Sequence, residues 1–178
     1  MTGSYDYRLV ALSVLIAVCA SYAALELAAR TTAARGRTRL LWLAGGAAAM
    51  GLGIWSMHYV GMLAFSLPVP VLYDWPTVLL SLLAAVFASG VALFVVSREK
   101  LGWARAAIGA AIMGSGIATM HYTGMAAMRL PAMCSYDPLL FALSVAFAIL
   151  ISLAAIWLTF HFREETWLRQ VGKRLPRS

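Results

Sequence analysis

Charged residues are scarce in this sequence, and acidic residues are the scarcest. Of its 178 residues only 12% are charged, whereas 62% are hydrophobic and the mean hydropathy is +0.82. A soluble domain has about 25% charged residues and about 45–50% apolar ones. One small core cannot bury such an excess of apolar side chains, so we expect lipid to cover most of the surface. The composition therefore argues against a soluble enzyme or a soluble binding domain.

Negative charge and cysteine are both in short supply. Seven Asp and Glu stand against fourteen Lys and Arg, which gives a net charge of +7. Attraction to anionic lipid headgroups explains this excess, and no nucleic-acid partner is expected because the chain offers no soluble basic face. Cys19 lies in an apolar run and Cys134 in a connecting segment, so we expect no disulfide between them.

Long apolar runs, by contrast, are abundant. Each is long enough to form a helix of about 20 residues that crosses a bilayer. We therefore predict an all-α integral membrane protein with five transmembrane helices, at about residues 9–29, 40–66, 77–97, 106–128 and 139–162. Residues 164–178 form a basic tail, for which an interfacial helix and a solvated segment both stay open.

The basic residues are concentrated on one side of the predicted membrane domain. Twelve of the fourteen Lys and Arg follow the first, third or fifth helix, and the remaining two are Arg8 and Arg129. Cytoplasmic loops of membrane proteins carry an excess of Lys and Arg. The distribution therefore predicts an N-terminus outside the cell and a C-terminus in the cytoplasm.

The sequence repeats itself with an offset of 63 residues. MGLGIWSMHYVGMLAF (50–65) and MGSGIATMHYTGMAAM (113–128) are identical at ten of sixteen positions, and a Tyr-Asp pair precedes the first, third and fifth helices. Two-helix repeats keep the same orientation in the membrane. We predict one domain over 1–178 with repeat 1 at about 5–68, repeat 2 at about 73–131 and a partial repeat 3 at about 136–163. Both Met-His-Tyr motifs then lie at one depth, near the outer ends of helices 2 and 4.

The repeated motif has the donor atoms of a metal site. His58 and Met62 share a helix face because they are four residues apart, and Met57 lies about 100° around the helix; the second motif has the same pattern. The candidate ligands are the histidines and methionines of both motifs: Met57, His58, Met62, Met120, His121 and Met125. Thioether and imidazole donors favour copper, as Cu(I). A haem held by the two histidines is the alternative, and the paired methionines favour copper over it.

Other residues of the repeat have structural interpretations. The motif glycines are expected to allow close helix packing, as small residues do in membranes; they are Gly51, Gly53, Gly61, Gly114, Gly116 and Gly124. Tyr59 and Tyr122 suit the headgroup boundary, or could hydrogen-bond an imidazole and orient it.

Three acidic residues are also expected to have structural roles. Asp74 and Asp137 have the pattern of turn or helix-start residues. Glu26 lies one turn from Arg30, so we expect the two to pair at the inner boundary or to extend towards water.

MHYVGM and MHYTGM, each in a GxGIxxMHYxGM frame followed by LP and YD, resemble the MHYT domain, a bacterial integral-membrane sensor module. The resemblance covers about residues 5–165. It implies a multi-pass protein of the bacterial cytoplasmic (inner) membrane. It also implies copper bound near the outer face by the six motif Met and His residues, and sensing of oxygen, carbon monoxide or nitric oxide.

The resemblance also implies partners. The family pattern has three motif copies and this sequence has two, so a homo-oligomer or another subunit would complete the bundle. Family members commonly carry cytoplasmic output domains that make or degrade cyclic di-GMP, so a cytoplasmic output protein is an expected partner besides the lipid bilayer and the gas ligand.

The leading functional hypothesis is a non-enzymatic membrane sensor of a diatomic gas or of redox state. A transporter of copper or of another small solute is an alternative, although no polar ladder runs across the predicted bundle. A haem or copper membrane oxidoreductase is the other alternative, although no acid, base or nucleophile adjoins the motif. A repeat that serves helix packing alone also stays open.

Overall fold

The computed structural model describes residues 4–66, 71–98, 102–129 and 137–174, with side chains up to His161. Within these residues the chain forms five helices: α1 (Tyr7–Ala33), α2 (Gly36–Ala64), α3 (Trp75–Val96), α4 (Trp103–Ala126) and α5 (Pro138–Arg174). Four of them are long and apolar enough to cross a membrane, namely α1, α2, α3 and α5 as far as His161. Helix α4 has 24 residues but is less apolar, so its crossing of the membrane stays a prediction, as does the orientation of the bundle.

The helices extend beyond the apolar runs where arginine is present. Arg30 is inside α1, and Arg37 and Arg39 are inside α2, because Arg is a good helix former and lack of apolarity does not end a helix. Only residues 34–35 separate the two helices, and Gly36 follows with φ +56°, a left-handed conformation that glycine adopts readily. Helix α5 continues to Arg174, so the basic tail as far as this residue prolongs the helix instead of starting a new one.

Short antiparallel strands, which the sequence analysis did not predict, close each helical hairpin. Their bounds are β1 (Ser4–Tyr5), β2 (Phe65–Ser66), β3 (Leu72–Tyr73) and β4 (Met128–Arg129). Strand β1 pairs with β2, and β3 pairs with β4. The predicted helices 40–66 and 106–128 were therefore too long at this end, because their last residues form strands. We call this end of the bundle the motif end, and the end with Arg35 and Arg98 the basic end.

The two hairpins have matching hydrogen bonds and caps at the motif end. The amide of Asp6 donates to the carbonyl of Ala64, and the amide of Asp74 donates to that of Ala127, both at 2.9 Å. The Asp6 and Asp74 side chains cap α1 and α3. Asp137 accepts from the first amides of α5 at 2.8 and 3.0 Å. The prediction that Asp74 and Asp137 start helices is therefore confirmed.

Glycines at equivalent positions place the helices in close contact. A Cβ on Gly51 would lie 2.5 Å from Cα of Val86 in α3, and one on Gly114 would lie 2.6 Å from Cα of Ile149 in α5. Residues of this size let helix backbones approach. Helix α2 thus rests on the backbone of α3 as α4 rests on that of α5.

A buried apolar cluster joins four of the helices at the basic end. Its members come from α1, α3, α4 and α5 and are Ala28, Leu93, Val96, Ala106, Ala110 and Ile156. The predicted pairing of Glu26 with Arg30 is confirmed at 2.8 Å. At the other end the even-numbered helices approach one another, and this brings the two motifs together.

Candidate metal site at the motif end

The two motif histidines lie side by side. His58 on α2 and His121 on α4 have ring centroids 4.7 Å apart with planes inclined at 55°. The two residues belong to different repeats and are far apart in sequence, so this contact depends on how the hairpins pack. Two imidazoles at this distance could share one ion or bind two neighbouring ones.

Nε2 of His58 is the most informative atom of the site. It is buried and has no hydrogen-bond partner among the described residues. Leaving a buried polar group unsatisfied costs about 1–3 kcal/mol. The atom faces the motif glycine of α4, since a Cβ on Gly124 would lie only 3.1 Å from it. A neutral imidazole nitrogen in this position is available to bind a ligand.

The methionines of the motifs do not all lie beside the histidines. Cε of Met62 also faces Gly124, at 3.7 Å from its virtual Cβ, and Met62 is 9% exposed. Met57, one position before the histidine, lines a separate groove of about 450 Å³ to which all five helices contribute residues. Met120 is 2% exposed and Met125 is half-buried. The described contacts thus gather His58, His121 and Met62, and the other three ligands stay predictions.

The tyrosine of each motif makes aromatic contacts. The ring of Tyr122 meets that of His121 edge-on, with centroids 5.0 Å apart, and its hydroxyl pairs with Oγ of Ser144 in α5 at 2.5 Å. In the first repeat Tyr59 stacks on Trp55 at 5.2 Å and lies 5.4 Å from Tyr73. These contacts limit how far α2 and α4 can rotate about their axes.

Serines at the same position of each odd-numbered helix support the motif helices. Oγ of Ser13 donates to the carbonyl of Met57 at 2.8 Å, Ser81 accepts from Nε1 of Trp55 at 3.0 Å, and Ser144 bonds Tyr122. These serines were not among the residues predicted to be functional. The signal was a Leu-Ser pair that recurs in ALSV, LLSL and ALSV at residues 11–14, 79–82 and 142–145.

The charged residues near the site have structural roles. Hydrogen bonds from Thr77 and Arg129 lower the pKa of Asp74 to about 2, and Arg129 pairs with this carboxylate at 2.8 Å. Burial, with the phenol of Tyr59 nearby, raises the pKa of Tyr73. Within the described residues no three His, Cys, Asp or Glu side chains are grouped for a metal ion. The donors available here are therefore neutral nitrogen and sulfur, and they do not suit a hard cation.

Cysteine makes no contribution to the site in the described part of the chain. Cys19 is a free, exposed thiol on α1, and Cys134 lies outside the described residues.

Comparison with known families identifies the repeat. Residues 1–45, 51–109 and 114–172 match the model of the MHYT family, which is described as the bacterial signalling protein N-terminal repeat. This membership and the four apolar helices fit a multi-pass membrane protein. No solved structure matches the chain.

Similar curated proteins are much longer than this chain. It is 55% identical over 163 residues to the bifunctional diguanylate cyclase/cyclic di-GMP phosphodiesterase MucR of Pseudomonas aeruginosa. It is 46% identical over 146 residues to the cyclic di-GMP phosphodiesterase NbdA of the same organism, and 40% identical over 157 residues to the signalling protein YkoW of Bacillus subtilis. The chain spans 24%, 18% and 20% of these relatives, respectively. Because the matching repeats cover most of its length, the chain belongs to the MHYT family of bacterial signalling proteins.

Proposed function

We propose that this chain is a membrane-embedded sensor that binds copper between its two motifs and responds to a diatomic gas (oxygen, carbon monoxide or nitric oxide) or to redox state. The observation that carries the proposal is the buried, unpartnered Nε2 of His58 next to the ring of His121. The bacterial inner membrane is the proposed location, with the motif end facing outwards.

The residues present fit copper. His58 and His121 offer neutral imidazole, Met62 offers a thioether that faces the same glycine as His58, and soft donors of this kind select Cu(I). Met57, Met120 and Met125 are the further ligands proposed from the motif. Copper would supply the ability to bind a diatomic gas or to change oxidation state.

The protein's own part is to convert a change at the histidine pair into a movement of helices. His58 belongs to α2 and His121 to α4, so a new separation of the rings shifts one repeat against the other. Helix α4 rests on α5 through Gly114, and α5 continues past the membrane-spanning part to Arg174. A ligand that favours one of two helix arrangements would thereby change how the helices are placed at the basic end.

The proposed output is control of cyclic di-GMP. The names of MucR and NbdA describe enzymes that act on this nucleotide, and the present chain corresponds to about a fifth of each of them. We propose that this chain has no enzymatic activity of its own, and that it passes its signal to a cytoplasmic output protein or domain. A second copy, or another subunit, would complete the bundle of motif helices.

Metal analysis of detergent-purified protein tests the proposal. We expect copper in the wild type and its loss in the double variant His58→Ala/His121→Ala. The variant His161→Ala is the matched control, because this histidine stacks on Trp157 in α5, away from the motifs, and should leave the copper content unchanged. Copper retained by the double variant, or a Soret band that shows haem, would contradict the proposal. Copper uptake into liposomes would favour a transporter instead.

A further inference from the structure

A second groove lies between α3 and α4 at the basic end, away from the candidate metal site. It has a volume of about 440 Å³, and its lining includes Val91, Phe94 and Arg98 on one side and Arg105, Ile108 and Ile112 on the other. On each helix these residues follow a spacing of three and four, which places them on one face. The arginines lie at the basic end of the groove, and the apolar side chains continue from them along the helices.

The apolar part of the groove opens to the outside of the bundle. Ile108 is 61% exposed and Phe94 is 46% exposed. Helix α3 is apolar enough to cross a membrane, so we expect lipid and not water next to these side chains. The guanidinium of Arg98 lies over the ring of Phe94 at 4.2 Å, which places this cation at the polar end of the apolar wall.

The equivalent place in the first repeat has a different chemistry. Ala20 faces Gly53 as Ala88 faces Gly116, with the same virtual Cβ distance of 2.8 Å, and this fixes the register of the two hairpins. Counting from these alanines, Arg30 corresponds to Arg98, and Glu26 corresponds to Phe94. Counting back from the glycines, Trp42 corresponds to Arg105.

In the first repeat the equivalent arginine has an acidic and an aromatic neighbour. Arg30 pairs with Glu26 at 2.8 Å and lies over the ring of Trp42 at 5.0 Å. In the second repeat the acid is replaced by a phenyl ring and the indole by a second cation. Because Glu99 and Lys100 cancel in charge, residues 98–105 of the second hairpin have a net charge of +2.

We propose that this groove binds an anionic phospholipid, with the phosphate between Arg98 and Arg105 and an acyl chain along Val91, Ile108 and Ile112. Arginine binds phosphate through several N–H donors at once, and basic groups at the membrane surface attract anionic lipids. The arginines at one end of the groove match the phosphate of a lipid headgroup, and the apolar wall beyond them matches an acyl chain. The proposal is independent of copper, and the proposed orientation places the lipid in the cytoplasmic leaflet.

Lipid binding to the delipidated full chain tests the proposal. The protein is mixed with phosphatidylglycerol or phosphatidylcholine in detergent, and bound lipids are counted by native mass spectrometry. We expect a preference for phosphatidylglycerol that falls about fivefold for each arginine removed, and about 30-fold in Arg98→Gln/Arg105→Gln, since each cation near the surface contributes about 1 kcal/mol. Arg30→Gln is the matched control and should keep the preference.

Exchange of residues between the repeats gives a second test, which predicts a gain of lipid binding as well as a loss. Phe94→Glu with Arg105→Trp gives the second hairpin the residues of the first and should abolish the preference. Glu26→Phe with Trp42→Arg does the reverse and should add a second bound phosphatidylglycerol. Equal binding of both lipids by the wild type, or an unchanged preference in Arg98→Gln/Arg105→Gln, would overturn the proposal.

Discussion

Gly61 and Gly124 occupy the same position of the two motifs and have different neighbours. A Cβ on Gly124 would meet the imidazole of His58 at 3.1 Å, whereas a Cβ on Gly61 would meet only Oγ of Ser13 at 3.6 Å. The first distance is tighter than an ordinary contact and the second is not. Gly124 therefore leaves room for the side chain of a motif histidine, and Gly61 does not have this role.

We expect Gly124→Ala to weaken copper binding about tenfold to 100-fold, because the added methyl group displaces His58 from its place beside His121. Changes to residues that hold a ligand in position typically have effects of this size. Copper titration of the purified variants measures the effect. Gly61→Ala is the matched control and should bind as the wild type does; equal affinities for all three proteins would show that this glycine does not position the histidine.

The carboxylate of Asp74 predicts a dependence of stability on pH. Its pKa is lowered from 3.8 to about 2 by hydrogen bonds from Thr77 and Arg129, so its contribution is fully present above about pH 4 and is lost as pH falls through 2. Thermal unfolding of Asp74→Asn should show a lower midpoint than the wild type at pH 6, and the difference should shrink between pH 4 and 2.

The equivalent cap of α1 provides the control for this prediction. The side chain of Asp6 accepts one hydrogen bond, from the amide of Arg8 at 2.9 Å, within the described residues. Asp6→Asn should therefore lower the unfolding midpoint at pH 6 less than Asp74→Asn does. Parallel curves for the wild type and Asp74→Asn from pH 6 to 2 would refute the assignment.

At the residue scale, local interactions could be predicted from the sequence and long-range ones could not. The Glu26–Arg30 pair and the Asp74 cap join residues within four positions of one another, so spacing alone indicated them. The approach of His58 to His121 joins two repeats. Motif repetition gave the depth of both rings, but the distance depends on how closely the helices pack.

At the scale of elements, two glycine contacts determine how the helices pack. Gly51 and Gly114 rest against the backbone of the next odd-numbered helix, and backbone cannot move aside as a flexible side chain can. We expect Gly51→Ala or Gly114→Ala to lower the free energy of unfolding by about 1–3 kcal/mol, the usual cost of overpacking. Thermal or denaturant unfolding in detergent measures this loss.

Another glycine of α2 is the control for overpacking. A Cβ on Gly45 would have nothing within 4 Å, and alanine favours a helix by up to about 1 kcal/mol over glycine. Gly45→Ala should therefore be neutral or slightly stabilising. If all three alanine variants unfold alike, close backbone contact is not what holds these helices together.

The elements themselves were predictable to different degrees. Each of the five described helices coincides with an apolar run. A segment in lipid must satisfy its backbone hydrogen bonds internally, so a long apolar run predicts a helix. Their ends were less predictable, since Arg30, Arg37 and Arg39 continue helices beyond the runs. The two-residue strands arise only when distant segments meet, and nothing in residues 65–66 or 128–129 distinguishes them from the end of a helix.

At the scale of the whole molecule, the two ends of the bundle differ in charge. Most of the Lys and Arg side chains that the structure describes are at the basic end. Arg39 there donates to Oγ of Ser97 at 3.1 Å and to its carbonyl at 3.4 Å, which links the start of α2 to the end of α3. The repeat and the family could be predicted from the sequence because ten positions of the motif recur. The crossing of α4 was predicted from its apolar run and the orientation from the distribution of Lys and Arg, and both stay predictions.

Labelling of single cysteines measures the orientation. In a background of Cys19→Ser and Cys134→Ser, Ser66→Cys lies at the motif end and Arg35→Cys at the basic end, and both positions are exposed. A membrane-impermeant maleimide should label Ser66→Cys in intact cells. It should label Arg35→Cys only after the cells are permeabilised, because basic loops stay in the cytoplasm. The opposite labelling pattern would show that the bundle has the inverse orientation in the membrane.

The strand pairs that close the hairpins also make the architecture modular. Because β1 meets β2 and β3 meets β4, the polypeptide enters and leaves each hairpin at one place on one surface. A hairpin can therefore be copied or exchanged at that place by a single genetic event, without rerouting the remaining chain. Tandem growth by whole hairpins preserves the side on which every motif faces, and insertion of a lone helix would reverse it for every motif that follows.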